Sequence, residues 1–386
     1  MRILFATTAG AGHFGPLIPF AKAATAANAE IIVAAPASFE EAVIGAGLPF
    51  WALGEPTAEE WRAVMAGVGG LTEEEGNQLV VGEIFGRLDG GRALPAMLAA
   101  LDEWRPDVVI RETFEFASLV AAGAGGLPHV HVATGLLAGA ALALPAASPA
   151  IDELRESLGL AADPALSTHR LAPTWTLSPA SFEDPADPGP PQIRRFRDPI
   201  IGMARRNPPK DVEPTIYVTF GTVAPNMGFF PVLYRAIIEA LADHPVRVVV
   251  TVGQTVDPAE LGPLPANASV HRWMNQSEML DQATLVVNHG GYGTVLGCLA
   301  AGAPQVVFPL FADQPINAAR VHALGAGIAL HGGSIPDPRR ALASVADLAL
   351  AVERVLGEPS YTRAAETVAA EIQALPTVDD AIATLA

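Results

Sequence analysis

His13 and Glu112 have the residue types and the positions to share a proton. His13 lies inside Gly10-Ala-Gly12-His13-Phe14-Gly15, directly after the apolar run 2–7. An imidazole titrates near pH 6.5, so at neutral pH most of it can accept a proton from a substrate hydroxyl. A carboxylate that accepts the proton of one ring nitrogen fixes the tautomer and stabilises the imidazolium formed at the other. Glu112 meets that need, because the run Asp107-Val-Val-Ile110 leads into Arg111-Glu112-Thr113-Phe114-Glu115; Glu115 is the substitute. The plainer alternatives are a histidine that caps a helix and carboxylates that are solvated or paired with Arg111.

The same loop matches G-x-G-x-x-G, the dinucleotide fingerprint, which makes an NAD-dependent dehydrogenase a rival reading. That fingerprint needs an acidic residue about 20 positions further on, at the end of the second strand. Here the second apolar run ends Ala34-Ala35-Pro36, and Glu30 stands at its beginning.

A denser cluster occupies the second half: Arg272-Trp273-Met274-Asn275-Gln276, Asn288-His289-Gly290-Gly291-Tyr292-Gly293-Thr294, and Pro309-Leu-Phe-Ala-Asp313-Gln314-Pro-Ile-Asn317. Glycines let a backbone approach a diphosphate, and the amides at a helix start favour negative charge. Trp273 offers a face for a nucleobase, and Asp313 with Gln314 offers the acceptors and donors that sugar hydroxyls require. Taken singly, Trp273 could be core, His289 a strand-end hydrogen bonder and Asp313 a helix cap.

The elements that must position these residues are legible as short β-branched runs alternating with Ala/Leu stretches of helical period, the pattern of a parallel sheet covered by helices. Strands are expected at 2–7, 30–35, 49–53, 107–110 and 128–132, and again at 215–220, 246–252, 269–272, 285–288 and 305–309. Between the two sets the repeated prolines of 184–213 mark a linker. The expected division is an N-terminal α/β domain at 1–183, this linker, a second α/β domain at 214–360, and a helical segment at 361–386 that crosses back toward the first domain. Open α/β sheets bind ligands at the carboxyl ends of their strands, so two such domains are expected to face each other across a cleft. The stretch 54–91 fits the alternation poorly and reads as a surface excursion that shapes a variable pocket.

Composition narrows the function class. At 386 residues the chain has room for about two to three domains of roughly 150 residues each. Half of the residues are hydrophobic and only 17% are charged, enough apolar surface to build large cores. The formal charge of −18, from 41 acidic and 23 basic side chains, repels nucleic acid and anionic membranes. The single Cys298 allows neither an internal disulfide nor a thiolate-rich metal site, consistent with the cytoplasm. No signal peptide precedes Gly10, and the uncharged run 132–151 is rich in Ala and Gly and broken by Pro145 and Pro149, unlike a membrane span.

With these motifs in this order, the chain resembles the family 1 nucleotide-sugar glycosyltransferases, in particular the bacterial enzymes that decorate antibiotics and other natural products. The resemblance spans nearly the whole chain and is densest from His271 to Gly327. It implies the GT-B fold, two Rossmann-like doubly wound domains, with inverting transfer of a hexose or deoxyhexose from a dTDP- or UDP-sugar to a hydroxyl of a small, largely apolar acceptor. It implies no cofactor and no metal, and no Asp-x-Asp follows a strand in the donor half. His13 matches the family's general base and Glu112 its acidic assistant, more often aspartate. Trp273 and Met274 match the positions that hold the base. Gly221 and Thr222 match a phosphate-contacting loop, and His289, Gly290, Gly291, Gly293 and Thr294 the diphosphate grip, with His289 and the helix dipole doing the neutralising work. Asp313 and Gln314 match the residues that hold the transferred sugar. The acceptor pocket is expected from first-domain loops, with Phe14, Phe85, Phe114, Glu115 and Leu136 as candidate lining. Gly297 stands where plant members carry a glutamate for the ribose hydroxyls, which favours a dTDP-sugar. A sugar-nucleotide epimerase or hydrolase of the same fold is the alternative, and homodimerisation is left open.

Overall fold

The structure is a computed structural model that describes residues 1–187, 189–199, 213–331 and 337–385. It separates into two compact units, one formed by Met1–Leu177, Asp184–Asp198 and Pro376–Ala386, the other by Ser178–Glu183 and Pro199–Leu375. Of the segment 184–213 read as a linker, residue 188 and residues 200–212 lie outside the described residues.

The first unit is built on seven parallel strands: β1 (Arg2–Ala6), β2 (Glu30–Pro36), β3 (Phe50–Leu53), β4 (Val108–Glu112), β5 (His129–Val132), β6 (Thr174–Thr176) and β7 (Ile193–Arg195). Their order is β3-β2-β1-β4-β5-β6-β7. Buried Leu4, Ala6, Ile32, Ala34 and Val109 pack against Leu94 and Met97 of the helix Gly90–Trp104. The strands β6 and β7 were not expected, and β7 lies within the segment read as a linker. Each is only three residues long, too short for alternation to register.

The second unit holds β8 (Thr215–Thr219), β9 (Arg247–Thr251), β10 (Ala268–His271), β11 (Leu285–Asn288), β12 (Gln305–Val307) and β13 (Gly327–Ala329). Their order is β10-β9-β8-β11-β12-β13, again all parallel. Val218, Val250, Val287 and Val306 lie in its core. The tail divides at Pro376. Helix Pro359–Ala374 packs on Tyr292–Ala301 in the second unit, and helix Val378–Ala383 packs on Ile18–Ala26 in the first. No helix among the described residues is long and apolar enough to cross a membrane.

The region 54–91, read as a surface excursion, is mostly helical. Thr57 caps Ala58–Ala66 and Thr72 caps Glu73–Leu79, each in a reciprocal capping box with Glu60 or Glu75. A π-helical stretch, Val80–Asp89, then runs directly into Gly90–Trp104. Wide turns of this kind occur preferentially near functional sites.

Candidate functional site

In the first unit the strand order reverses between β1 and β4, which pair with Ala6 beside Arg111. The loops leaving two such strands diverge and leave a crevice. His13 arrives from β1 in the helical turn Ala11–Phe14, and Glu112 is the last residue of β4. His13 Nδ1 lies 3.2 Å from Glu112 Oε2. Glu112 is fully buried. Its Oε1 accepts from Thr8 Oγ1 at 2.9 Å, and its Oε2 accepts from the Phe114 amide at 2.8 Å. Burial alone would raise the Glu112 carboxyl, but His13, the Phe114 amide and the Thr8 hydroxyl outweigh it and hold the group below its ordinary range. An ionised carboxylate only accepts hydrogen bonds, so Nδ1 carries the ring proton and Nε2 is the basic nitrogen. The extra methylene of glutamate does not prevent contact with His13.

Two aromatic rings flank His13, Phe85 at 5.1 Å and Phe114 at 5.7 Å between centroids, and these two stack on each other. Phe14 and Leu136 are both buried, and Phe14 meets Phe39 edge-on. Glu115 turns to the amide and hydroxyl of Ser118, and burial pushes its carboxyl up to about 7 despite those bonds and Arg111. Glycine spacing in the first loop does not do what a dinucleotide fingerprint requires. The third glycine should allow close packing of helix on strand, yet a Cβ at Gly12 or Gly15 would meet nothing within 4 Å.

The second unit repeats the plan. Strands β8 and β11 pair with Thr219 beside Asn288, and Gly221 and His289 follow their ends. His289 is buried between two glycines: a Cβ at Gly291 would fall 2.4 Å from its Nε2, and one at Gly221, with φ +69°, would fall 3.0 Å away. Burial draws its imidazole down to about 4, against a hydrogen bond with the Thr219 backbone that raises it. His289 is therefore uncharged at neutral pH in the free protein. An uncharged imidazole can offer an anion a ring N–H dipole rather than a full charge. Helix Tyr292–Ala301 starts at Gly291 without a side-chain cap, so its first-turn amides, with Gly293 and half-buried Thr294, are available to an anion.

The turn at Gly290 is held from both sides. Its amide donates to Asn288 Oδ1 at 2.8 Å, and its carbonyl accepts from Asn317 Nδ2 at 2.8 Å. Asn317 Nδ2 also donates to Asp313 Oδ2 at 2.9 Å, so Asp313 is tied to the glycine turn. Gln314 is buried, and its Oε1 accepts from the amides of Leu310 and Phe311 at 2.8 and 2.9 Å. It clamps the loop that presents Asp313. Trp273, after β10, is 64% exposed, while Met274 packs against the cluster containing Met279 and Val286. Thr222 is exposed on the loop after β8. Thr8, which no sequence motif singles out, bonds Glu112, and Asn317, which ends the third motif without an assigned role, bonds Asp313.

Comparison with known proteins adds to this geometry. The family profile "Erythromycin biosynthesis protein CIII-like, C-terminal domain" matches residues 235–386. The L-demethylnoviosyl transferase of Streptomyces niveus is 32% identical over 342 residues, covering 86% of this chain and 85% of the relative. The chain belongs to the natural-product glycosyltransferase family. It is an enzyme of that family with the GT-B fold, and the dehydrogenase reading of Gly10–Gly15 is set aside. The calicheamicin glycosyltransferase CalG4 matches with a TM-score of 0.80 at 25% identity, over 100% of this chain and 97% of that one. SsfS6 of Streptomyces sp. SF2575, a glycosyltransferase solved with thymidine diphosphate, matches with a TM-score of 0.71 at 26% identity, over 100% and 99%.

Proposed function

We propose that this glycosyltransferase inverts the anomeric centre in one displacement, moving a hexose or deoxyhexose from a dTDP-sugar to a hydroxyl of a small, largely apolar acceptor. The observation that carries this reading is the 3.2 Å contact of His13 with Glu112. In the reaction, His13 Nε2 takes the acceptor proton as the hydroxyl oxygen bonds to the anomeric carbon. The bond from that carbon to the diphosphate oxygen breaks with its electron pair, and the nucleoside diphosphate leaves. Glu112 stabilises the imidazolium through Nδ1–H. First-turn amides at Gly291 to Thr294 and the dipole behind them stabilise the departing charge without a metal. Asp313 supports hydroxyls of the sugar, Trp273 stacks on the nucleobase, and Phe85 and Phe114 line the acceptor side.

Support for thymidine over uridine comes from Gly297, whose Cβ would lie 3.4 Å from Leu280 Cδ1, an apolar neighbour where a ribose-binding carboxylate would have to stand. The thymidine diphosphate bound to SsfS6 agrees. His13→Ala tests the reading: turnover is expected to fall about 10²-fold or more, the usual contribution of a general base, with dTDP still raising the melting temperature. Unchanged turnover would remove His13 from the role. Nucleotide release from the donor that does not depend on acceptor would favour the hydrolase or epimerase alternative.

A further inference from the structure

Beside the His13–Glu112 pair lies a recess bounded by Thr7, Thr8, Phe114, Glu115, Asp89 and Gly90, among others. Two of its walls belong to the pair's own scaffold. Thr8 donates to Glu112 Oε1, and Phe114 both donates to Glu112 Oε2 through its amide and sets its ring against His13. The third wall is Asp89, the last residue of the π-helical stretch and four positions beyond Phe85, the other ring on His13. Residues four apart on a helix share a face. Asp89 is thus brought to the same corner as His13 by the element that also carries Phe85.

We propose that Asp89 is a second positioning carboxylate for His13, acting through the imidazole that Glu112 already orients; this rests on the reading of His13 as the base. The charged groups around it fit. Burial raises the Asp89 carboxyl to about 6, His13 opposes that rise, and the charges of Glu112 and Glu55 add to it. Arg87 on the same stretch pairs with Glu83 and Glu153, and Arg92 on the following helix pairs with Glu60, so both nearby arginines are committed elsewhere. Glu115, the remaining carboxyl of the recess, is bonded to Ser118. Coupling is mutual: if His13 favours ionised Asp89, ionised Asp89 favours protonated His13. Above about pH 6 the enzyme then holds two anions against the imidazolium that forms during transfer, and below it one.

NMR titration of the His13 ring, in the full-length protein without substrates, tests this directly. His13→Gln supplies the assignment. In Asp89→Asn the His13 titration is expected to move down by roughly one pH unit, as for loss of a neighbouring opposite charge, and Asp89→Glu should restore most of it. The acid limb of kcat/KM should move with it, which a merely structural role for Asp89 would not produce. A His13 titration unchanged in Asp89→Asn overturns the proposal. If that variant does not fold, the wild-type protein decides: a second inflexion of the His13 signals that tracks the Asp89 carboxyl resonance supports the coupling, and a single sigmoid refutes it. Failure of the base reading looks different, because His13→Ala would then keep its turnover whatever the titrations show.

Discussion

Asn317 donates through Nδ2 to the carbonyl oxygen of Gly290 at 2.8 Å, and the same nitrogen reaches Asp313 at 2.9 Å. One buried amide therefore sets the register between the proposed diphosphate turn and the proposed sugar-binding residue. Asn317→Leu would keep the volume and leave the buried Gly290 carbonyl short of this donor, at a cost of about 1–3 kcal/mol. The melting-temperature rise induced by dTDP should shrink in this variant, while the His13 ring titrates as in the wild type. An undiminished dTDP shift would show that Asn317 does not set the donor side.

Gly291→Ala tests the cradle around His289. The new methyl would fall 2.4 Å from Nε2, below any real contact distance, so either the ring or the helix start must move. Nucleotide affinity should drop at least 10-fold by calorimetry, with KM for acceptor close to the wild-type value. Gly123→Ala, in helix Ala117–Gly125 of the first unit, where a Cβ meets nothing within 4 Å, is the control and should bind dTDP normally.

Glu112→Gln keeps shape and removes charge. The replaced oxygen accepts from both Phe114 and His13, so an amide nitrogen there would face two donors, or rotate and face Thr8 instead. Turnover should fall by about 10²-fold or more, with dTDP binding retained. Glu112→Asp, which shortens the reach to His13, should fall between the two. Wild-type turnover in Glu112→Gln would detach the carboxylate from catalysis.

Much of this site could be read before folding because its residues terminate strands, and the strands announce themselves as β-branched runs such as Val286-Val287-Asn288. Where a run is three residues long, as at Thr174–Thr176, Ile193–Arg195 and Gly327–Ala329, periodicity has no length in which to show. The helices of 54–91 left a signal that was overlooked, since Thr57-x-x-Glu60 and Thr72-x-x-Glu75 are both capping boxes. Phe14 and Leu136 suit a pocket wall and a core equally well as apolar side chains near loops, and only packing can decide between the two. Asp89 was beyond reach for another reason: His13 is far away in the chain, and nothing in the linear pattern records that neighbourhood; the bond from Asn317 to Gly290 likewise spans 27 positions, although Asp313 is one helical turn from Asn317. Gln314 illustrates the converse, a residue in a binding motif whose oxygen serves its own loop.

Glu115→Gln should reveal a stability cost that develops between pH 4.5 and about 7. Burial raises the Glu115 carboxyl from 4.5 to about 7 in the folded protein. A carboxyl raised in this way lets the unfolded chain release its proton first, so its contribution is fully present below pH 4.5 and is lost as pH rises through 7. That loss is worth up to roughly 3 kcal/mol for a shift of this size. Buried histidines act in the opposite direction over an overlapping window. His289 and His129 are both drawn down to about 4, so their contribution falls as pH drops from 6.5 toward 4. They are common to wild type and variant, and cancel in the difference. Glutamine keeps an oxygen for the Ser118 amide without an ionisable proton. Urea unfolding at pH 5 and pH 8.5 should therefore show the variant gaining on the wild type by roughly 2–3 kcal/mol at the higher pH relative to the lower. An equal difference at both pH values would mean that Glu115 titrates alike in the folded and unfolded chain.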